Sequence, residues 1–236
     1  MGGSPALFNG HSQYFASRGL VGVTVEYRLI KRGTNETPLV CIQDAKSAMR
    51  WVRSHAKELG IDSPRIAAAG GSAGGHLPAF CGLVEGKDDS QDNLSISPKP
   101  NALILFNPVF NNGPGQYGHG RVGERYKEFS PVHNVTSNAP PAVVFLGTED
   151  HLISVETAKD FQTQMEKVGA KCDLHLYEGQ KHGFYGASNP KYYYETVMES
   201  DKFLATLGWL KGPPTFKMPP PKSKSPSAKS NRVISD

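Results

Sequence analysis

Cysteine is scarce: Cys41, Cys81 and Cys172 are the three in 236 residues. They are too widely spaced for a zinc site and, being odd in number, form no disulfide framework. They read as small buried hydrophobes. No apolar run approaches the roughly 20 residues that cross a bilayer. The opening MGGSPALFNGH has no basic stretch leading into an apolar core, so no signal peptide is visible and the compartment is left open. It also fails the myristoylation pattern, because Ala6 stands where Ser or Thr is required. There is no internal repeat and no Walker A loop, and G-x-G-x-x-G cannot be laid on GGSAGG with all three glycines matched. The body of the chain lacks positive charge as well. The formal net charge is +4, but residues 211–236 alone carry +5, which leaves the first 210 residues at −1. A nucleic-acid footprint would be a basic face on the folded domain, and none is evident.

What remains is an ordinary globular composition, 38% hydrophobic and 20% charged, at a length suited to one well-buried domain. Strand-like and helix-like segments alternate, which predicts an α/β fold with a mostly parallel central sheet and helices on both faces. Residues 20–27 (LVGVTVEY) read as a doubly buried strand. Pro38 then opens a helical stretch in which Cys41, Ala45, Ala48, Val52, Ala56 and Leu59 share a face until Gly60 ends it. Further strands are predicted at 66–69, 102–106, 142–146 and 172–177, the last alternating as on a sheet edge. Helices are predicted at 155–168 and about 190–207, where Tyr192–Tyr194 read as packing. A Gly-, Asn- and Tyr-rich loop covers about 110–134 and would act as a cap. The domain is drawn at 1–210. Residues 211–236, rich in Pro, Ser and Lys, are expected to be a disordered tail, since few apolar groups there offset the ordering entropy.

Chemistry concentrates where predicted strands end. Gly70-Gly71-Ser72-Ala73-Gly74 follows a strand and precedes a helix, the context in which G-x-S-x-G holds a serine on a tight, strained turn above the sheet edge. That turn would also aim the Ala73 backbone N–H, at a helix start, at a developing oxyanion. A serine hydroxyl needs a base, and the base needs an orienting group. Of eight histidines, His11, His55, His119, His133 and His151 read as surface, helix or loop positions. His76 lies in the helix after the serine and His175 sits mid-strand. Only His182 falls in a loop just after the last predicted strand, where open α/β sheets gather their chemistry. The acid should end a strand between the two, and Glu149 and Asp150 both qualify. The order serine, acid, histidine is that of one hydrolase fold among several that use such a triad.

These motifs resemble the esterase/lipase branch of the α/β-hydrolase superfamily, near the hormone-sensitive-lipase-like and acetyl-esterase-like serine hydrolases. The resemblance is carried by Gly3-Ser4-Pro5, Glu26-Tyr27-Arg28-Leu29, Asp44 with Trp51-Val52, Gly70–His76, Asn107-Pro108, Ser130-Pro131, Gly147–Leu152 and His182-Gly183-Phe184. It spans about residues 2–184. In that family the acid lies in a G-x-x-D pattern, which matches Asp150. The implied catalytic set is therefore Ser72, Asp150 and His182 with the Ala73 N–H, and the family implies no metal and no organic cofactor. Two departures stand out. Pro78 falls about one turn into the helix after the serine, where it removes a backbone hydrogen bond. Relatives also carry a His-Gly-Gly-Gly stretch, whose N–H groups complete the oxyanion hole, a few residues before the position of Gly3-Ser4. The domain is accordingly expected to be incomplete at its N-terminus, and residues 1–236 alone are expected to fold poorly and hydrolyse weakly.

The function expected is hydrolysis of small or carbohydrate-linked acyl esters through an acyl-enzyme. An oligopeptidase-like serine peptidase shares the same chemistry, and an inactive remnant with at most a binding role is the reading from another class. The acyl group, the alcohol and the oligomeric state are not legible.

Overall fold

The computed structural model describes residues 4–31 and 33–216. Four parallel strands, β1 (Ala67–Gly71), β2 (Ala102–Phe106), β3 (Ala142–Gly147) and β4 (Cys172–Tyr177), lie side by side in sequence order. The helices are α1 (Asn9–Ser17), α2 (Leu39–Ser54), α3 (Ala56–Leu59), α4 (Ala73–Leu83), α5 (His119–Val122), α6 (Val155–Lys167) and α7 (Pro190–Thr206).

The two central strands are apolar at every position because both faces are covered. Successive side chains alternate between faces. Leu103, Leu105 and Val144 pack with Ile42 of α2, Leu77 and Phe80 of α4 and Phe161 and Met165 of α6. Ile104, Phe106, Val143 and Phe145 pack on the other side with Phe203 and Leu204 of α7 and with Phe8 and Phe15 at α1. β4 is a sheet edge and only partly buried, in keeping with its alternating sequence.

Helix ends follow local chemistry. The Ser154 side chain accepts the Thr157 N–H and caps α6, Glu156 sits in its first turn and Lys167 in its last. The helix expected between Pro38 and Gly60 breaks at His55 into α2 and α3, and Gly60 closes it in the left-handed conformation.

Two expectations are corrected. Residues 20–27 form no strand. None pairs with another strand among the described residues, and Val21, Val23 and Val25 are 49%, 44% and 40% exposed. A β-branched run has strand propensity only in so far as a ladder and a packed surface receive it. His11, grouped with surface, helix or loop positions, lies in helix α1 and is buried there. Order also continues past Leu210. Phe216 packs on Tyr14 and Tyr194, and Arg18, ion-paired to buried Asp201, donates to the carbonyls of Lys211 and Gly212. Residues 217–236, the rest of the expected tail, lie outside the described residues. The 110–134 segment is built of short helical turns, α5 and 3-10 turns at Gly123–Glu128 and Pro131–Asn134.

Candidate active site

β1 runs directly into Ser72, which has φ 56° and ψ −124°, and α4 starts at the next residue. A non-glycine residue in that region is strained. The Ser72 N–H donates to Phe106 O at 2.9 Å, while Gly75 and His76 donate back to Ser72 O at 3.0 and 3.1 Å. Glycine is required at position 70, since a Cβ there would collide with the Gly74 carbonyl. Pro78 explains why that carbonyl is available for so close an approach: it lacks the N–H that would bond Gly74 O in a regular helix. Ala73, as the first residue of α4, has one of the N–H groups that a helix start leaves without an intrahelical acceptor.

Asp150 follows β3 by three residues. Its side chain is fully buried, and Oδ1 accepts the N–H groups of Leu152 and Ile153 at 2.9 and 3.0 Å. Burial alone would push the carboxyl up. Hydrogen bonds from His182 and from those two N–H groups outweigh it and hold Asp150 below the usual carboxylate range. Glu149 beside it is exposed, and its backbone N–H donates to Gln180 O at 3.0 Å.

His182 sits on the loop after β4. That loop is seated on the end of β3: Gly179 N–H donates to Thr148 Oγ1 at 2.8 Å, and the Gln180 carbonyl leaves no room for a Cβ at Gly147. His182 Nδ1 is 2.7 Å from Asp150 Oδ2, and Nε2 is 2.7 Å from Ser72 Oγ. An ionised Asp150 can only accept, so the ring proton belongs on Nδ1, leaving the Nε2 lone pair facing the serine hydroxyl. The His182 side chain is 24% exposed, so a solute reaches this end of the relay.

Ser72, Asp150 and His182, drawn from three strand ends, are thus in one hydrogen-bonded line. The remaining histidines lie elsewhere: His76 is buried on Phe129 O, and His55 stacks on Trp51. In the sequence Asn107 figures only within the Asn107-Pro108 pair that helps carry the resemblance, with no role at the site. Its Oδ1 accepts Gly183 N–H at 3.0 Å and its Nδ2 lies 3.4 Å from His182 Nε2. The rule that singled out the other strand ends applies equally to the end of β2. Among the described residues no group of three or more His, Cys, Asp or Glu is placed to hold a metal ion, and no helix is long and apolar enough to cross a membrane.

The profile of the BD-FAE family matches residues 4–107, and that of the dienelactone hydrolase family matches residues 115–212. The apo form of Thermogutta terrifontis esterase 2 superposes with a TM-score of 0.84 at 39% identity, over 90% of this chain and 81% of that one. The same enzyme phosphorylated by paraoxon gives 0.82 at 40% identity, over 90% and 80%. The chain belongs to the esterase/lipase branch of the α/β-hydrolase superfamily. Among sequence relatives in that family, esterase LipC of Mycobacterium tuberculosis is 30% identical over 72% of this chain and 46% of its own length. An acetylxylan esterase of Xylanibacter ruminicola is 29% identical over 92% of this chain and 45% of its own. The chain spans a little under half the length of these two sequence relatives.

Proposed function

We propose that this chain hydrolyses carboxylic esters of short acyl groups through an acyl-enzyme on Ser72. The observation that carries the reading is the unbroken line from Ser72 Oγ through His182 to Asp150, at 2.7 Å on each side of the ring. His182 Nε2 takes the hydroxyl proton as Oγ bonds to the ester carbonyl carbon. The Ala73 N–H donates to the oxyanion that forms. When the tetrahedral intermediate collapses, the C–O bond to the alcohol breaks and the alkoxide leaves with the proton from His182. A water molecule then repeats the sequence on the acyl-serine, releasing acid and restoring Oγ–H. Asp150 holds the imidazole in its Nδ1–H tautomer and stabilises the cation, without itself taking the proton. The short acyl chain is supported by the esterase 2 neighbours described as propionate bound and butyrate bound. The acetylxylan esterase relative supports acetylated carbohydrate as one form of the alcohol.

Turnover of p-nitrophenyl acetate, butyrate and decanoate by the purified chain and by Ser72→Ala tests the reading. Activity that declines with acyl length and disappears in Ser72→Ala is expected. Turnover that survives the substitution by more than a few per cent would refute it.

A further inference from the structure

Asn107 is 1% exposed and sits immediately beyond β2 with φ +34°, a left-handed conformation that asparagine and aspartate adopt more readily than most side chains. Its backbone N–H is spent on Phe145 O at 2.7 Å, so the residue is fixed to the neighbouring strand. The amide orientation is fixed too. Gly183 N–H is a donor 3.0 Å from one end of the amide, so that end must be the oxygen. The NH2 end therefore faces His182 Nε2, at 3.4 Å. Nε2 is the atom that must hold a lone pair to take the serine proton. An N–H donor aimed at it suits the neutral ring and opposes the imidazolium, whose Nε2–H would meet that donor head-on.

We infer that Asn107 is a positioning residue for His182, clamping its loop through Gly183 and, through the Nδ2 donor, biasing the imidazole toward the neutral form competent as a base. The inference rests on the ester-hydrolase reading of the same site. Other groups around the ring leave this role open to Asn107. Among the described residues Asp150 is the carboxylate hydrogen-bonded to the imidazole, and it acts on Nδ1. Lys181, next in the chain, is exposed, and Glu149 is tied through its backbone to Gln180. The Tyr185 hydroxyl, over Gly71, is kept neutral by burial, with a pKa pushed up to about 12. Ser72 Oγ is the other donor to Nε2.

Asn107→Asp separates the two parts of the role. It keeps an oxygen for Gly183 N–H and suits the same backbone, but replaces the donor at Nε2 with an acceptor that carries charge. The readout is the titration of the His182 ring by imidazole NMR in the full chain, assigned with His182→Gln, together with thermal unfolding. It requires no turnover, so it stands apart from the Ser72→Ala assay that tests the hydrolase reading. In Asn107→Asp the His182 midpoint should move up by about one pH unit or more relative to wild type, as an opposite charge at this distance produces. The acid limb of kcat/KM should move with it. Asn107→Gly, which suits φ +34° and removes both the Nδ2 donor and the Oδ1 acceptor of Gly183 N–H without adding charge, should shift the midpoint upward by less. A midpoint unchanged or lowered in Asn107→Asp, with unfolding as in wild type, would overturn the inference. If that variant does not fold, the midpoint in Asn107→Gly decides in the same way.

Discussion

Adjacent carboxylates at the end of β3 have opposite surroundings, and that contrast carries the assignment of the acid. The Asp150 side chain is fully buried and accepts from His182 and two backbone N–H groups, whereas Glu149 is exposed and contributes a backbone N–H to the loop that carries His182. Asp150→Asn would keep the shape but present an NH2 or a neutral oxygen to Nδ1, and so lose control of the tautomer. Tautomer misplacement of this kind can cost ~10⁴ in rate. Ester turnover should therefore fall by thousands-fold in Asp150→Asn and change by no more than a fewfold in Glu149→Gln. Comparable losses in the two variants would show that the wrong carboxylate has been assigned.

At the scale of elements, the β1–Ser72–α4 unit works because two glycines allow strand and helix to come within backbone contact. The Gly74 carbonyl lies against Gly70, and nothing flexible separates them. Gly70→Ala should force the strand and helix apart, destabilising the fold by about 2 kcal/mol or more and displacing Ser72 from His182. Thermal unfolding and turnover should fall together; a Gly70→Ala protein with wild-type values of both would contradict this account. The same unit shows what was legible in sequence. β2, β3 and β4 were readable because each is an apolar or alternating run bounded by turn residues, and the observed ends fall within one residue of the expected ones. Ser72, Asp150 and His182 were readable because each follows such a run. Residues 20–27 misled because Val, Thr and Tyr report how well a residue fits a pleated surface, not whether a neighbouring strand is there to pair with it. Asn107 helps carry the resemblance in Asn107-Pro108, but its role was not legible, because nothing in that pair points to a distant partner. Its positive φ and its reach to Gly183, 76 positions away, exist only once the sheet is assembled.

At the scale of the whole molecule, distant segments meet in the aromatic box around His11. The ring of His11 lies 4.9 Å from Phe8, 5.4 Å from Phe106 and 4.9 Å from Tyr193, so α1, β2 and α7 all close on it. Neither ring nitrogen has a hydrogen-bond partner among the described residues. Burial lowers its pKa from the ordinary 6.5 to about 4. The unfolded chain thus takes up a proton near pH 6.5 that the folded chain refuses until near pH 4, and stability must fall as pH drops through that window. Between pH 7 and pH 5 this one group should remove roughly 2 kcal/mol. His11→Phe keeps the box apolar and should suppress that part of the loss, so the unfolding midpoints of variant and wild type should diverge on acidification. A constant difference between them from pH 7 to pH 5 would contradict the reading.

The central claim, that Ser72 is a nucleophile driven by His182 and Asp150, is tested most directly by covalent capture. The esterase 2 neighbour is described as phosphorylated by paraoxon, and an organophosphate of that class leaves a stable phosphoryl group on an activated hydroxyl. The purified chain is incubated with diethyl p-nitrophenyl phosphate and its intact and peptide masses are recorded. The account predicts one diethylphosphoryl group per chain, carried by Ser72, formed far more slowly in His182→Gln and absent in Ser72→Ala. A folded chain that acquires no adduct, or that carries it on another residue, would contradict the account.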